Sequence, residues 1–292
     1  MKKIAIATDS HSGILPEEAK KIGVYVLPMP FYFGDECLYE GKNIDRNTFF
    51  EKLDSGIQVS TSAPSILEVQ DLWDEALKEF DELVYIPMSS GLSSSCENAI
   101  SMSKEEQYEG RVFVVDNGRV SAPQARAVYD AIVMAKNGLD GAAIKERLEA
   151  SKAGMSIYVA IDNLEHLRKG GRISSSSAIL GNVLNIKPIM RFDIGKLDVF
   201  KKCRGMKKAK AEMIEAVKRD FDTIYKKEIE AGRMCLMAAT SVDEAEKNKW
   251  LEEIRLAFPD MDVLYGDLSL GLCCHIGRGG IGIAYCVKPE FE

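Results

Sequence analysis

The residues best equipped for chemistry in this chain are hydroxyls. Residues 87–95 read Pro87-Met88-Ser89-Ser90-Gly91-Leu92-Ser93-Ser94-Ser95, five serines in nine positions. A second cluster, Ser60-Thr61-Ser62-Ala63-Pro64-Ser65, precedes it. Hydroxyls at the start of a helix lie beside free backbone N–H groups and the positive end of the helix dipole. That combination makes an anion site, for a phosphate or a carboxylate. A plainer reading needs less: Ser93 or Ser94 as one N-cap, and one of Ser60, Thr61 and Ser62 as another. His275, one of three histidines with His11 and His166, precedes Gly277, Gly279, Gly280 and Gly282. Such a loop brings its backbone close to a ligand. A histidine in it donates to an anion, acts as a base, or is simply satisfied in a turn. Arg172 stands beside Gly170-Gly171, where a guanidinium can be aimed at phosphate or carboxylate. The other basic residues between Arg168 and Lys208 read mostly as solvated surface.

Other chemistries fit less well. Gly91-Leu92-Ser93-Ser94-Ser95 is half of a nucleophile elbow, with Ser95 where the second glycine belongs. Together with His275 and Asp116 it keeps a serine hydrolase of acyl esters as the rival reading. No GxxxxGK[ST] loop is present, and no GxGxxG follows the first strand. Three separated histidines and no C-x-x-C pair give no metal spacing. No cofactor and no metal are expected. A formal net charge of −7 argues against general affinity for nucleic acid or anionic membrane.

The elements that would position these residues follow from periodicity. Apolar runs at 4–8, 24–27, 83–86 and 111–116 read as strands, and helical spacing appears from Pro16, Asp45, Pro64, Cys96 and Ala122. Pro28 and Pro30 make the segment after Leu27 extended but irregular. Pro64 fits the first turn of its helix, which would put Ser60, Thr61 and Ser62 at a helix start. Alternation up to about residue 152 predicts a parallel sheet with helices on both faces. Thr8-Asp9-Ser10, Ser89 to Ser93 and Asp116-Asn117 then share the carboxyl ends of its strands, where ligands bind. After Gly154 the pattern changes: a strand at 156–161, a hairpin at 186–192 and 197–203 around Asp193-Ile194-Gly195-Lys196, and a long helix at 206–230. A strand at 234–239, a helix at 243–258 and strands at 263–267 and 281–287 complete it. The expectation is therefore an α/β chain of two domains. Residues 1–153 form a parallel α/β domain carrying the hydroxyl loops, and 154–292 an α+β domain with a mostly antiparallel sheet. At 292 residues, with 46% apolar and 28% charged residues, the chain has the bulk for both cores. Seven cysteines without pairing motifs predict reduced, buried thiols. With no signal-peptide pattern and no apolar run of membrane length, they predict a cytoplasmic protein.

The order of motifs resembles the DegV family of bacterial fatty-acid-binding proteins. The matching pieces are Thr8-Asp9-Ser10, Thr61-Ser62-Ala63-Pro64-Ser65, Ser89-Ser90-Gly91-Leu92-Ser93 and Val114-Val115-Asp116. Leu167-Arg168-Lys169-Gly170-Gly171-Arg172-Ile173-Ser174, Leu184-Asn185-Ile186-Lys187-Pro188-Ile189 and His275-Ile276-Gly277 complete the series. The resemblance implies two domains holding one long-chain fatty acid, its carboxylate at an interdomain cleft and its acyl chain in a pocket of the second domain. By carry-over, Thr61, Ser62, Ser93 and His275 would surround the carboxylate, with Gly277 letting the backbone come close. It also implies a separate ATP-dependent fatty acid kinase as partner, making the acyl phosphate, and lipid exchange at a membrane surface that the protein does not span. Arg172 and Arg204 match basic positions associated with the head group or with kinase docking. Three departures stand out: Asn117 in place of serine, Ser94-Ser95 in place of Gly-Thr, and Arg278 in place of proline. Arg278 then either adds a cation near the carboxylate or turns to solvent. A carrier of another amphiphilic carboxylate is the third reading.

Overall fold

In the computed structural model, which describes residues 2–162, 164–173, 185–193 and 195–290, the chain divides into two units. The first comprises residues 1–153 with 269–271 and 289–292, the second 154–268 with 272–288. Among the described residues no helix is long and apolar enough to cross a membrane.

Among the described residues the first unit holds seven strands: β1 (Ile4–Asp9), β2 (Val24–Leu27), β3 (Pro30–Phe33), β4 (Glu36–Tyr39), β5 (Val59–Thr61), β6 (Glu82–Ile86) and β7 (Val112–Val114). Four of them form a parallel sheet in the order β2-β1-β6-β7. The strands β1 and β6 read as unbroken apolar runs because both faces are covered. Ala5, Ala7, Leu83 and Tyr85 pack on one face against Trp73, Cys96 and Ala99, from the helices Ile66–Leu77 and Ser95–Met102. Ile6, Val84 and Ile86 pack on the other against Ala127, Met134 and Ile144, from Ala122–Lys136 and Gly141–Ala150. Burying each such aliphatic side chain contributes roughly 1.5–3 kcal/mol before ordering costs. From β1 the chain moves to β2 on one side, and from β6 to β7 on the other. The order thus reverses between β1 and β6, the place where open parallel sheets bind ligands.

Two expectations for this unit need correction. The segment after Leu27 is a regular hairpin, β3 with β4, and β5 adds to the far side of β3 to make a small antiparallel sheet. Pro30 is tolerated because it is the first residue of its strand, where a missing donor does least harm. The following helix starts at Ile66 rather than Pro64. Ser65 is its N-cap, its Oγ accepting the Glu68 N–H while the Glu68 carboxylate accepts the Ser65 N–H. Ser60 and Thr61 are therefore strand residues, opposite Tyr32 and Phe31.

The second unit is built on β8 (Met155–Ala160), β9 (Ile186–Asp193), β10 (Lys196–Arg204), β11 (Met234–Thr240), β12 (Val263–Asp267) and β13 (Ile281–Val287). They pair in the order β10-β9-β8-β13-β11-β12. Every pairing is antiparallel except that of β11 with β12. The helices Met206–Thr223 and Glu244–Ala257 cover one face through Met213, Val217, Trp250 and Ile254. Leu164 and Leu167 pack with Val159, Ile161 and Met190 in a second cluster. Within the larger core, buried Asp220 accepts hydrogen bonds from the Tyr158 and Tyr285 hydroxyls at 2.7 and 2.9 Å. Burial, reinforced by Asp220, pushes both phenols well above the usual tyrosine range, so both remain donors. The single long helix expected over 206–230 is two helices, Met206–Thr223 and Lys226–Glu230. Tyr225, between them, packs its ring on Tyr285 with centroids 5.3 Å apart, while Ile224 is left 58% exposed. Ser174, Leu184 and Ile194 of the sequence motifs lie outside the described residues.

Candidate functional site

The serine stretch leaves the carboxyl end of β6 and is held from several sides. The Asp9 carboxylate accepts the Met88 N–H at 2.7 Å, and the Ser89 N–H donates to the Arg119 carbonyl at 2.8 Å. Ser90 Oγ donates to Asp116 at 2.8 Å, and Lys152 Nζ reaches the same carboxylate oxygen at 2.7 Å. Burial alone would raise the Asp116 carboxyl. The bonds from Lys152 and Ser90 outweigh it and hold the group below the usual carboxylate range. Gly118 makes room for this arrangement, since a Cβ there would stand 3.1 Å from the Lys152 side chain. Asp116 is thus engaged by a lysine and a serine, which does not suit the histidine-orienting role a hydrolytic triad would require.

Ser93 is half-buried. Its Oγ accepts the Ser95 N–H at 3.2 Å and donates to Ser95 Oγ at 3.0 Å. Ser94 occupies the N-cap of Ser95–Met102 without a side-chain cap bond, so Ser93 does the capping from one residue earlier. The hydroxyl beside this helix start is therefore that of Ser93. The adjacent Cys96 thiol is fully buried and pushed up to about 12 by burial, which leaves it unreactive. Thr61, half-buried, ends β5, and exposed Ser62 donates its N–H to Pro30 O and its Oγ to Ala63 O. Thr61 belongs to the small antiparallel sheet and Ser62 follows it directly, whereas Ser93 follows a strand of the parallel sheet.

In the second unit the sequence reading of His275 as a loop residue is corrected. His275 lies in the last turn of a helix, Leu270–Ile276, and the glycine-rich turn begins only after it. Gly170 and Gly277 have a specific use here. A Cβ on Gly170 would stand 2.1 Å from His275 Nδ1, and one on Gly277 would stand 2.8 Å from His166 Cδ2. Each histidine of this unit therefore fills the space that a glycine of the other segment leaves. Gly277 also needs its positive φ of 78°. The expectation that Gly277 brings bare backbone to a ligand is thus joined by a packing role toward His166, which sequence reasoning missed. Arg172, exposed, turns back so that its guanidinium donates to Gly170 O at 2.5 Å, over the end of helix Glu165–Lys169. Arg204 ends β10 exposed, and Arg278 is exposed in the turn before β13. Asn117 is buried, its Oδ1 accepting the Arg119 N–H at 3.2 Å.

Comparison with known proteins extends over the whole chain. The sequence model of one family, described as an uncharacterised protein of the DegV family, matches residues 3–288. A DegV domain-containing protein of Halalkalibacterium halodurans is 30% identical over 291 residues, covering 99% of this chain and 100% of that protein. Among solved structures, a fatty-acid-binding DegV family protein from Thermus thermophilus superposes with a TM-score of 0.85 at 26% identity, covering 98% of this chain and 99% of the other. A fatty-acid-binding DegV family protein from Streptococcus agalactiae gives 0.84 at 26% identity and full coverage of both chains.

Proposed function

We infer the function from the premise that the chain belongs to the DegV family: it binds a fatty acid, one long-chain molecule at a time. The observation that carries this reading is the whole-length likeness to the fatty-acid-binding protein of Thermus thermophilus. The local chemistry supports it, because a hydroxyl loop at the point where strand order reverses suits a carboxylate. We assign the carboxylate to the hydroxyls of Thr61, Ser62 and Ser93 and the imidazole of His275, with Gly277 setting the turn that follows His275. The acyl chain supplies most of the affinity, about 0.8 kcal/mol per buried methylene before ordering costs. The protein then presents the carboxylate to a separate ATP-dependent kinase that forms the acyl phosphate. Arg172, Arg204 and Arg278, all exposed, serve the phosphate or the docking of that kinase.

Solvent extraction of the purified protein followed by lipid mass spectrometry tests the binding reading. The expected result is endogenous fatty acid in roughly one-to-one ratio with protein. An empty extract, together with no thermal shift on adding palmitate or oleate, would sink it.

A further inference from the structure

Asp9 is completely buried, yet its carboxylate serves three donors. One oxygen accepts the Met88 N–H at 2.7 Å; the other accepts the His11 N–H at 2.9 Å and Gln124 Nε2 at 3.1 Å. A buried carboxylate is costly unless hydrogen-bonded, so such a group is retained where its bonds fix something. What these bonds fix can be followed outward. Met88 opens the serine stretch, and the Leu92 and Ser93 N–H groups both donate to Ser89 O, one residue beyond Met88. The Ser93 backbone therefore hangs from a segment whose origin Asp9 holds. Gln124, from the helix Ala122–Lys136, reinforces the same point by reaching Thr8 Oγ1 at 3.0 Å and Ile86 O at 3.2 Å.

The same carboxylate also holds His11. Its N–H is held by Asp9, and its ring, in a residue only 6% exposed, lies under Gly271, where a Cβ would stand 2.8 Å from Nε2. Gly271 is the second residue of the helix Leu270–Ile276. The Leu270 N–H donates to the Glu40 carboxylate at 2.8 Å, holding the same end.

We infer that Asp9 is the positioning residue of the Ser93 hydroxyl, one buried carboxylate that fixes the origin of the loop bearing it. The inference rests on the fatty-acid reading and adds to it a residue that touches no ligand. It makes Thr8-Asp9-Ser10 an internal clamp at the strand end.

A double-mutant cycle tests it, with oleate titrated into delipidated wild type, Asp9→Asn, Ser93→Ala and the double variant. Asn keeps the shape of Asp9 but turns an amide N–H toward one of the three donors. Acting through Ser93, Asp9→Asn weakens oleate binding about tenfold in the wild-type background, and by much less once Ser93 is alanine. The same loss in both backgrounds, or no loss in either, overturns the positioning role while leaving fatty-acid binding intact. A wild type that does not bind oleate overturns both. Should Asp9→Asn fail to fold, Gln124→Met examines the same anchor by removing the Nε2 donor to Asp9. Its loss of oleate affinity is expected to disappear in a Ser93→Ala background, and persistence of that loss overturns the inference.

Discussion

Gly170→Ala is the substitution whose effect falls most selectively on the proposed carboxylate site. Gly170 has φ −76° and ψ −6°, a conformation alanine adopts without strain, so the backbone gives no reason for damage. The new Cβ would stand 2.1 Å from Nδ1 and 2.6 Å from Cε1 of His275, far inside van der Waals contact. The ring must move, because the next contact, His166 O at 3.2 Å, is backbone and limits the room for Gly170 itself to shift. Overpacking of this kind costs roughly 1–3 kcal/mol of stability. A hydrogen bond from His275 to a carboxylate is charge-assisted and worth roughly 1.5–3 kcal/mol. Its loss weakens fatty-acid binding roughly ten- to hundredfold at 1.4 kcal/mol per factor of ten. Calorimetric titration of delipidated protein with oleate reads the affinity, and urea denaturation reads the stability. Gly171→Ala is the control: nothing lies within 4 Å of its Cβ, but φ is +67°, so it loses about 1 kcal/mol of stability with affinity unchanged. Adding His275→Ala to Gly170→Ala should restore stability, since the shortened side chain frees the space. Wild-type oleate affinity in a folded Gly170→Ala protein would refute the reasoning, because a displaced His275 would then not matter to binding.

Lys152→Met should keep the packing over Gly118 but leave Asp116 with Ser90 as its side-chain donor, costing about 1 kcal/mol at neutral pH. The Asp116 carboxyl is lowered in the folded protein. Its contribution is therefore present above the ordinary carboxylate pKa of roughly 4 and fades as pH falls through the lower folded value. The gap between variant and wild type in urea melts should close in acid. Tyr158→Phe removes one of two donors to buried Asp220 and should cost about 1–3 kcal/mol by the same assay, whereas a neutral result would mean the network carries no net stability. Arg172→Ala should leave fatty-acid loading intact and lower acyl-phosphate formation with a cognate kinase; loss of loading with unchanged phosphorylation per loaded molecule would reverse that assignment.

Elements whose signal is local were legible in the sequence. The strands β1 and β6 announce themselves because both faces are buried, and Asp45 was readable as the cap whose carboxylate accepts the Asn47 and Thr48 N–H groups. The helix start after Thr61 was misplaced although Ser65-Ile66-Leu67-Glu68 carries a capping-box signature, because Pro64 offered a competing start. The helix Leu270–Ile276 was invisible for a different reason. Its Gly271, Cys273 and Cys274 are weak helix formers, and Gly271 is explained by the His11 ring beneath it. Likewise nothing near Gln124 reveals that its amide serves Asp9, 115 positions away in the chain. Residue types pointed to an anion site, but the packing partners of His275 and the anchoring of the Ser93 loop are tertiary facts.

The most direct measurement is an equilibrium titration of the delipidated protein with oleate, run on wild type and Ser93→Ala. Saturable one-to-one binding by the wild type, weakened roughly ten- to hundredfold but still measurable in Ser93→Ala, is the expected result. No saturable binding by the wild type, or identical affinity in the two proteins alongside p-nitrophenyl ester turnover that Ser93→Ala abolishes, would contradict it.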